Sequence, residues 1–218
     1  MNFYQTFIKN NNLFRSILII LLTTFVFILL YEFVYDGTIP VKSTIDNKYY
    51  KVRRGADMLT KSNNLAIINI KLNYLVNSLK EDLLNNKTTI PKNKIEDVNR
   101  LIYNWGDGID IKEIGNFESD AAYVLNKRNM SFCLRASPMG GQLEDINILT
   151  YVAIHEISHI MSIETGHGDE FTNNMIYLLN YSKTLKPTDS RIVPFYIDIN
   201  NTDDNSNFCG VEINGSPT

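Results

Sequence analysis

Cysteine and histidine are both scarce in this chain: of its 218 residues two are Cys and three are His. Two cysteines are too few for a Cys-rich zinc finger or a multiply bridged disulfide scaffold. Basic residues do not outnumber acidic ones, 21 against 24, which leaves a net charge of −3 and a pI near 5.6. A protein that lives on nucleic-acid phosphates usually carries a basic excess, so no direct nucleic-acid binding is expected. Hydrophobic residues make up 44% and charged residues 21%, which excludes a chain disordered throughout. No internal repeat is evident. A mean hydropathy of −0.14 reads as a soluble protein, but that average conceals a segregated chain.

Residues 16–31 read SILIILLTTFVFILLY, without charge, Pro or Gly. As a helix rising ~1.5 Å per residue this run spans about 24 Å, slightly short of a ~30 Å hydrocarbon core. Leu13 and Phe14 extend it on one side, Phe33 to Tyr35 on the other, and Arg15 can snorkel to the interface. A cleavable signal peptide has a shorter apolar run followed by small residues. Here Tyr31, Phe33 and Tyr35 follow, so an uncleaved transmembrane anchor is expected over residues 16–35, behind a short tail of residues 1–15. Lys9 and Arg15 precede the span, whereas Glu32 and Asp36 follow it. That bias predicts a cytoplasmic N-terminus and a domain on the extracytoplasmic or lumenal side. There Cys133 and Cys209 could pair; in a reducing compartment they would be two thiols. Sequons at Asn86, Asn129, Asn180, Asn200 and Asn214 carry little weight in so Asn-rich a chain.

The rest is long enough for one core. Residues 36–50, with Gly37 and Pro40, read as a linker or extended lead-in, and residues 51–218 as one domain. Leu65, Ile68, Leu72, Leu75, Leu79 and Leu83 recur in steps of three and four, the signature of an amphipathic helix over residues 56–84. Pro91 opens a second helix that Gly106 closes. The period then changes. Ile109, Ile111 and Ile114 alternate as in a strand, and residues 121–126 and 131–135 read as a hairpin around residues 127–130. A loop with Pro138, Gly140 and Gly141 leads into a helix capped by Asp145 or Asn147 and running to Ile163. A last helix covers residues 169–182, capped by Asp169, and a strand is expected at residues 195–199. Helices with a small antiparallel sheet make an α+β domain.

The helix from Asn147, NILTYVAIHEISHIMSI, is apolar nearly all round and therefore buried. It nevertheless carries His155, Glu156 and His159, whose burial costs several kcal/mol without compensation. A divalent metal compensates. His155 and His159 stand at i and i+4 on one face and can share an ion. Glu156, turned about 100° round the helix, can reach a water at the metal without ligating it. This is the His-Glu-x-x-His arrangement, with both His as zinc ligands and the Glu as general base. Catalytic zinc needs a third protein ligand. Gly166 ends the helix and His167 comes next in TGHGDEF, so the chain can fold back and present His167 to the same ion. Glu164, Asp169 and Glu170 are weaker rivals as ligands. One zinc ion is the expected cofactor, although manganese and iron accept similar ligands.

The spacing of the third His is not that of metzincins. His155 to His159, followed by Gly-His-Gly-x-x-Phe at residues 166–171, resembles the minimal zincins of the WLM and SprT-like type. KVRRGADM at residues 51–58, YVLNK at 123–127, CLR at 133–135 and FCG at 208–210 are similar to WLM-domain proteins, including forms from large DNA viruses. The resemblance covers residues 50–217. It implies a zincin-like fold, with the active-site helix under the sheet, and a zinc-dependent endopeptidase. In it the strand around residues 131–135 would hold an extended protein or peptide substrate by β-addition. Cellular relatives of that type digest proteins crosslinked to DNA. This chain departs from them in its membrane span, its acidity and the lack of a recognisable DNA- or SUMO-binding tail.

The mechanism expected of such a site is hydrolysis by a water that Glu156 deprotonates, the proton then passing to the leaving amine. Tyr177, Tyr181, Tyr196 and Arg135 are candidates for the oxyanion donor. A competing reading is a membrane-tethered, inactive module in which zinc only staples helices, with Cys133 or Cys209 as fourth ligand. A hydrolase of non-peptide amides is a third.

Overall fold

A computed structural model describes residues 3–31, 36–85, 90–116, 118, 121–137, 140–199 and 207–212. Glu32 to Tyr35, Pro138 and the sequons at Asn86, Asn200 and Asn214 lie outside these residues. The N-terminal segment is one helix, α1 (Phe3–Tyr31). Its stretch Leu13–Tyr31 is long and apolar enough to cross a membrane, as a signal sequence also is, and none of it is buried.

The domain begins earlier than expected. Residues 36–50 do not form a free linker: β1 (Thr38–Lys42) pairs antiparallel with β2 (Tyr49–Arg53). Pro40 is tolerated because β1 is an edge strand, where a missing N–H removes no ladder bond. The alternation in β2 buries Tyr50 and Val52 against the core. Helix α2 (Met58–Leu84) comes next, with Leu65, Ile68, Leu72, Leu75 and Leu79 all buried, as their period requires. After a short 3₁₀ turn, α3 (Ile95–Trp105) buries Val98, Leu101 and Trp105 and ends at Gly106, whose φ of 56° suits a residue without Cβ.

The central sheet holds β3 (Asp110–Glu113), β4 (Ala122–Leu125) and β5 (Asn129–Phe132) in the order β3-β5-β4. Strands β4 and β5 form the expected antiparallel hairpin, but β3 runs parallel to β5. The sheet is therefore mixed, because the hairpin inserts β5 between β3 and β4. Strands β6 (Arg135–Ser137) and β7 (Gly140–Leu143) pair antiparallel.

Helix α4 (Ile146–Met161) packs against α2, α3, β4 and α5 (Asp169–Thr184), so it is the buried centre that its composition required. Asp145 is its N-cap, accepting from Asn147 N at 2.7 Å. The helix stops at Met161, two residues before the expected end, and Asp169 is not a cap: Gly168 holds that position of α5. No strand forms at residues 195–199. There the Asn147 side chain takes the groups a ladder would use, accepting from Ile197 N and donating to Ile197 O, both at 2.8 Å. Near the end, β8 (Asn207–Phe208) and β9 (Val211–Glu212) form a short hairpin. Cys209 at its tip is disulfide-bonded to Cys133, just after β5. The fold is α+β, with small and mostly antiparallel sheets.

A buried charge cluster fixes the sheet to α2. Glu113 on β3 is fully buried, accepts from Arg53 N at 2.6 Å and pairs with Arg53 Nε at 3.1 Å and Lys61 Nζ at 2.9 Å. Lys71, also on α2 and 3% exposed, donates to Thr150 Oγ1, Pro194 O and Phe195 O at 3.1, 3.3 and 2.6 Å. Those three bonds match the three N–H donors of an ammonium.

Candidate metal centre

His155 and His159 lie one turn apart on α4 and are half-buried; His167 is exposed on the loop between α4 and α5. Gly166, with a φ of 95°, supplies the left-handed step that turns the loop back toward α4. One ring nitrogen from each histidine lies within 4.8 Å of the other two, and His155 Nε2 is 3.0 Å from His167 Nε2. Zinc–nitrogen bonds of about 2.0–2.1 Å in a tetrahedron place their nitrogens about 3.3 Å apart. The His155–His167 pair lies near that separation, and the full set, held within 4.8 Å, converges on one point.

Phe171, on the first turn of α5 and buried, forms the floor of the cluster. Its ring centroid is 4.8 Å from that of His155, 4.2 Å from His159 and 4.7 Å from His167. Burial, then the neighbouring His159 and His167, pushes the His155 imidazole down to about 3. Burial, then His167, pushes His159 down to about 4. Both rings are neutral near pH 7, the state in which imidazole ligates a metal.

Glu156 is buried, at 4% exposure, and lines the same cavity as the three histidines. That cavity measures about 470 Å³ and is walled on its far side by Ala122, Tyr123 and Val124 of β4. Among the described residues β4 has no partner on its outer side. The strand that the resemblance assigned to substrate, around residues 131–135, comprises the end of β5 and the residues just beyond it. Ser131 and Phe132 have β3 on one side and β4 on the other. Among the described residues the edge strands of this sheet are β3 and β4, and β4 is the one that walls the cavity.

The expected rival ligands have other partners or stand apart. Glu170 accepts from Ile163 N and Glu164 N at 3.1 and 3.2 Å and pairs with Arg100 at 3.1 Å. Glu164 lines the cavity but does not belong to the converging set. Neither Tyr177, Tyr181, Tyr196 nor Arg135 lines the cavity. Tyr181 donates to Asp82 at 3.0 Å and Arg135 pairs with Asp57. Polar side chains to which the sequence pattern gave no role at the site do reach it: Tyr123, Asn126, Lys127 and Thr165. Strand order would have been needed to find them, since β4 becomes a cavity wall only through its pairing with β5.

The C-terminal carbonyls of α4, which have no partner within the helix, are met from outside. Asn104 Nδ2 donates to Ile160 O at 3.2 Å, Arg100 to Met161 O at 2.6 Å and Lys127 Nζ to Ser162 O at 2.8 Å. Two of the three donors are cations at the negative end of the helix dipole. This end carries His159 and leads to His167, so the clamps fix two of the three imidazoles.

No protein-family model matches the chain, and no solved structure matches it. A relative in Acanthamoeba polyphaga mimivirus, Uncharacterized protein R325, is 30% identical over 174 residues, 79% of this chain and 81% of the relative. Uncharacterized protein 136R of Invertebrate iridescent virus 6 is 30% identical over 74 residues, 34% of this chain and 42% of that protein. Uncharacterized protein 042R of Invertebrate iridescent virus 3 is 32% identical over 65 residues, 30% of this chain and 40% of that protein.

Proposed function

We propose that this chain, which belongs to the family of the mimivirus protein R325, is a zinc-dependent peptidase anchored in a membrane by α1. The observation that carries this reading is the convergence of His155, His159 and His167 within 4.8 Å, beside a buried Glu156 facing the same open cavity. The likeness of residues 155–159 and 166–171 to the WLM and SprT-like pattern agrees with it, and a zincin-like arrangement is part of the proposal.

His155, His159 and His167 would hold the ion, which supplies Lewis acidity at a water and at the scissile carbonyl. The edge of β4 binds an extended peptide through main-chain hydrogen bonds and lays it across the cavity. Glu156 takes a proton from a water in the cavity and delivers it to the leaving amine.

The stapled-module alternative requires a fourth protein ligand, and the cysteines considered for that role are bonded to each other. A disulfide forms in oxidising surroundings. That supports a domain on the extracytoplasmic or lumenal side, in line with Lys9 and Arg15 before the span.

Glu156→Gln tests the reading on the full chain in detergent, with zinc added and an unstructured protein as substrate. Cleavage is expected to fall by at least about 10² while zinc content stays at one per chain. A variant that cleaves like the parent, or a zinc-loaded parent that cleaves nothing, would overturn it.

A further inference from the structure

We infer that Lys127 is a positioning residue, holding the edge strand β4 at a fixed distance from the imidazole cluster; the inference rests on the peptidase reading above. Lys127 is the third residue of the turn between β4 and β5. Its φ is 55°, that of Asn126 is 52°, and Arg128 N donates to Leu125 O at 3.1 Å. Asn126 and Lys127 are two successive left-handed residues of the three-residue loop between the paired Leu125 and Asn129, and such positive-φ positions favour Gly. The backbone at Lys127 would be easier for glycine, because a left-handed conformation crowds Cβ against the following carbonyl. A residue kept in such a conformation points to a use for its side chain.

That side chain runs to the active-site helix. Of the three donors that clamp the end of α4, Asn104 and Arg100 belong to α3 and tie the helix to the core. Lys127 reaches it from the sheet, through Ser162 O. Burial and then Arg100 lower the Lys127 pKa, with Glu170 opposing. The ammonium is therefore not held at this spot by a surplus of carboxylates; the carbonyl at the helix end is what it binds.

The two ends of β4 are secured differently. At its start, Cys133 N donates to Ala121 O at 2.8 Å, beside the Ala122–Phe132 pair. At the other end lies the turn itself, and Lys127 links that turn to α4. The Lys127–Ser162 bond thus spans the cavity wall between the strand that would carry substrate and the helix that carries two of the imidazoles. Without it the turn end of β4 can shift relative to α4, and a misplacement of about 1 Å is enough to slow a reaction ~10²-fold. Main-chain bonds from substrate to β4 would survive the shift, so the loss should fall on turnover and not on binding.

The test compares the full zinc-loaded chain with Lys127→Gly and Lys127→Arg on a neutral and an acidic peptide, reading kcat, KM, cleaved bonds by mass spectrometry, zinc affinity and Tm. In K127G, kcat should fall roughly tenfold or more and cleavage should spread to neighbouring bonds. KM should stay within about threefold, zinc affinity should not change, and Tm should stay within ~2 °C because glycine relaxes the turn. K127R, which keeps a donor, should recover kcat to within about threefold. An unchanged kcat in K127G overturns the inference. So does a rise in KM confined to acidic peptides, which would place Lys127 in substrate recognition. A parallel fall of Tm, zinc affinity and kcat would likewise overturn it, reducing Lys127 to a structural prop. A parent chain that binds zinc and cleaves no peptide removes the peptidase reading and this inference with it. A parent that cleaves while K127G matches it removes only the inference.

Discussion

Reducing the Cys133–Cys209 bond should destabilise the domain while leaving its fold recognisable. The two residues are 76 positions apart, and the closed loop contains β6, β7, α4 and α5, the whole of the histidine cluster included. In the chain-entropy account, a loop of that length lowers the entropy of the unfolded chain enough to stabilise the native state by about 4.5 kcal/mol at 25 °C. That is a large part of the ~5–15 kcal/mol by which ordinary domains are stable. For a urea dependence of roughly 2 kcal/mol per molar, the midpoint should fall by about 2 M. Trp105 is the only tryptophan and is 3% exposed. Its fluorescence therefore reports unfolding of the domain without interference from α1. The measurement is urea unfolding of the full chain in detergent, oxidised and with dithiothreitol, repeated on Cys133→Ser/Cys209→Ser. A midpoint that moves by less than ~0.3 M on reduction, about the error of such fits, would refute the reasoning. It would also remove the support that the bond gives to an oxidising location.

Two further outcomes rest on groups already described. Burial, opposed by Asp145, lowers the Lys71 pKa to about 8. Between pH 8 and 10.5 the unfolded chain then binds more protons at this residue than the folded one, so Lys71 makes stability rise with pH across that window. The full effect is roughly 3 kcal/mol, most of it gained before the tyrosines titrate. Urea midpoints from pH 7 to 9.5 should rise more in the parent than in Lys71→Met, and equal slopes would refute the assignment. At the histidine cluster, Phe171→Leu removes the ring against which all three imidazoles pack. Aromatic contacts of about 0.5–1.5 kcal/mol each predict a zinc affinity lowered roughly tenfold in competition with a chelator, and Phe171→Tyr should stay close to the parent. Unchanged affinity in the leucine variant would show that the rings are oriented by other means.

What was legible in the sequence was whatever depends on local period or local spacing. The stripe from Leu65 to Leu79 placed α2, and the apolar frame around His155 and His159 placed α4 in the interior. Gly166 before His167 placed the third imidazole, because a left-handed residue there turns the chain back within reach. Non-local pairing was not legible. Tyr50 and Val52 alternate as a strand should, yet Pro40 and Gly37 read as linker until β1 and β2 are seen side by side. Nothing in residues 121–135 says which strand of the hairpin lies at the edge, since that depends on β3 docking against β5. Which strand walls the cavity was therefore not legible, and Tyr123 and Lys127 had no role beyond the YVLNK resemblance. No strand forms at residues 195–199, where side chains meet backbone groups instead: Asn147 at Ile197 and Lys71 at Phe195.

The central claim, that three histidines separated in sequence make one metal site, is tested most directly by metal content. The full chain, purified without chelator and dialysed against excess zinc and then metal-free buffer, should retain one zinc per chain. His167→Ala, which changes the histidine furthest in sequence and the one on the exposed loop, should retain well under half as much, with the Trp105 fluorescence of the folded domain unchanged. A parent chain that holds no zinc, or a His167→Ala variant that holds as much as the parent, would contradict the account.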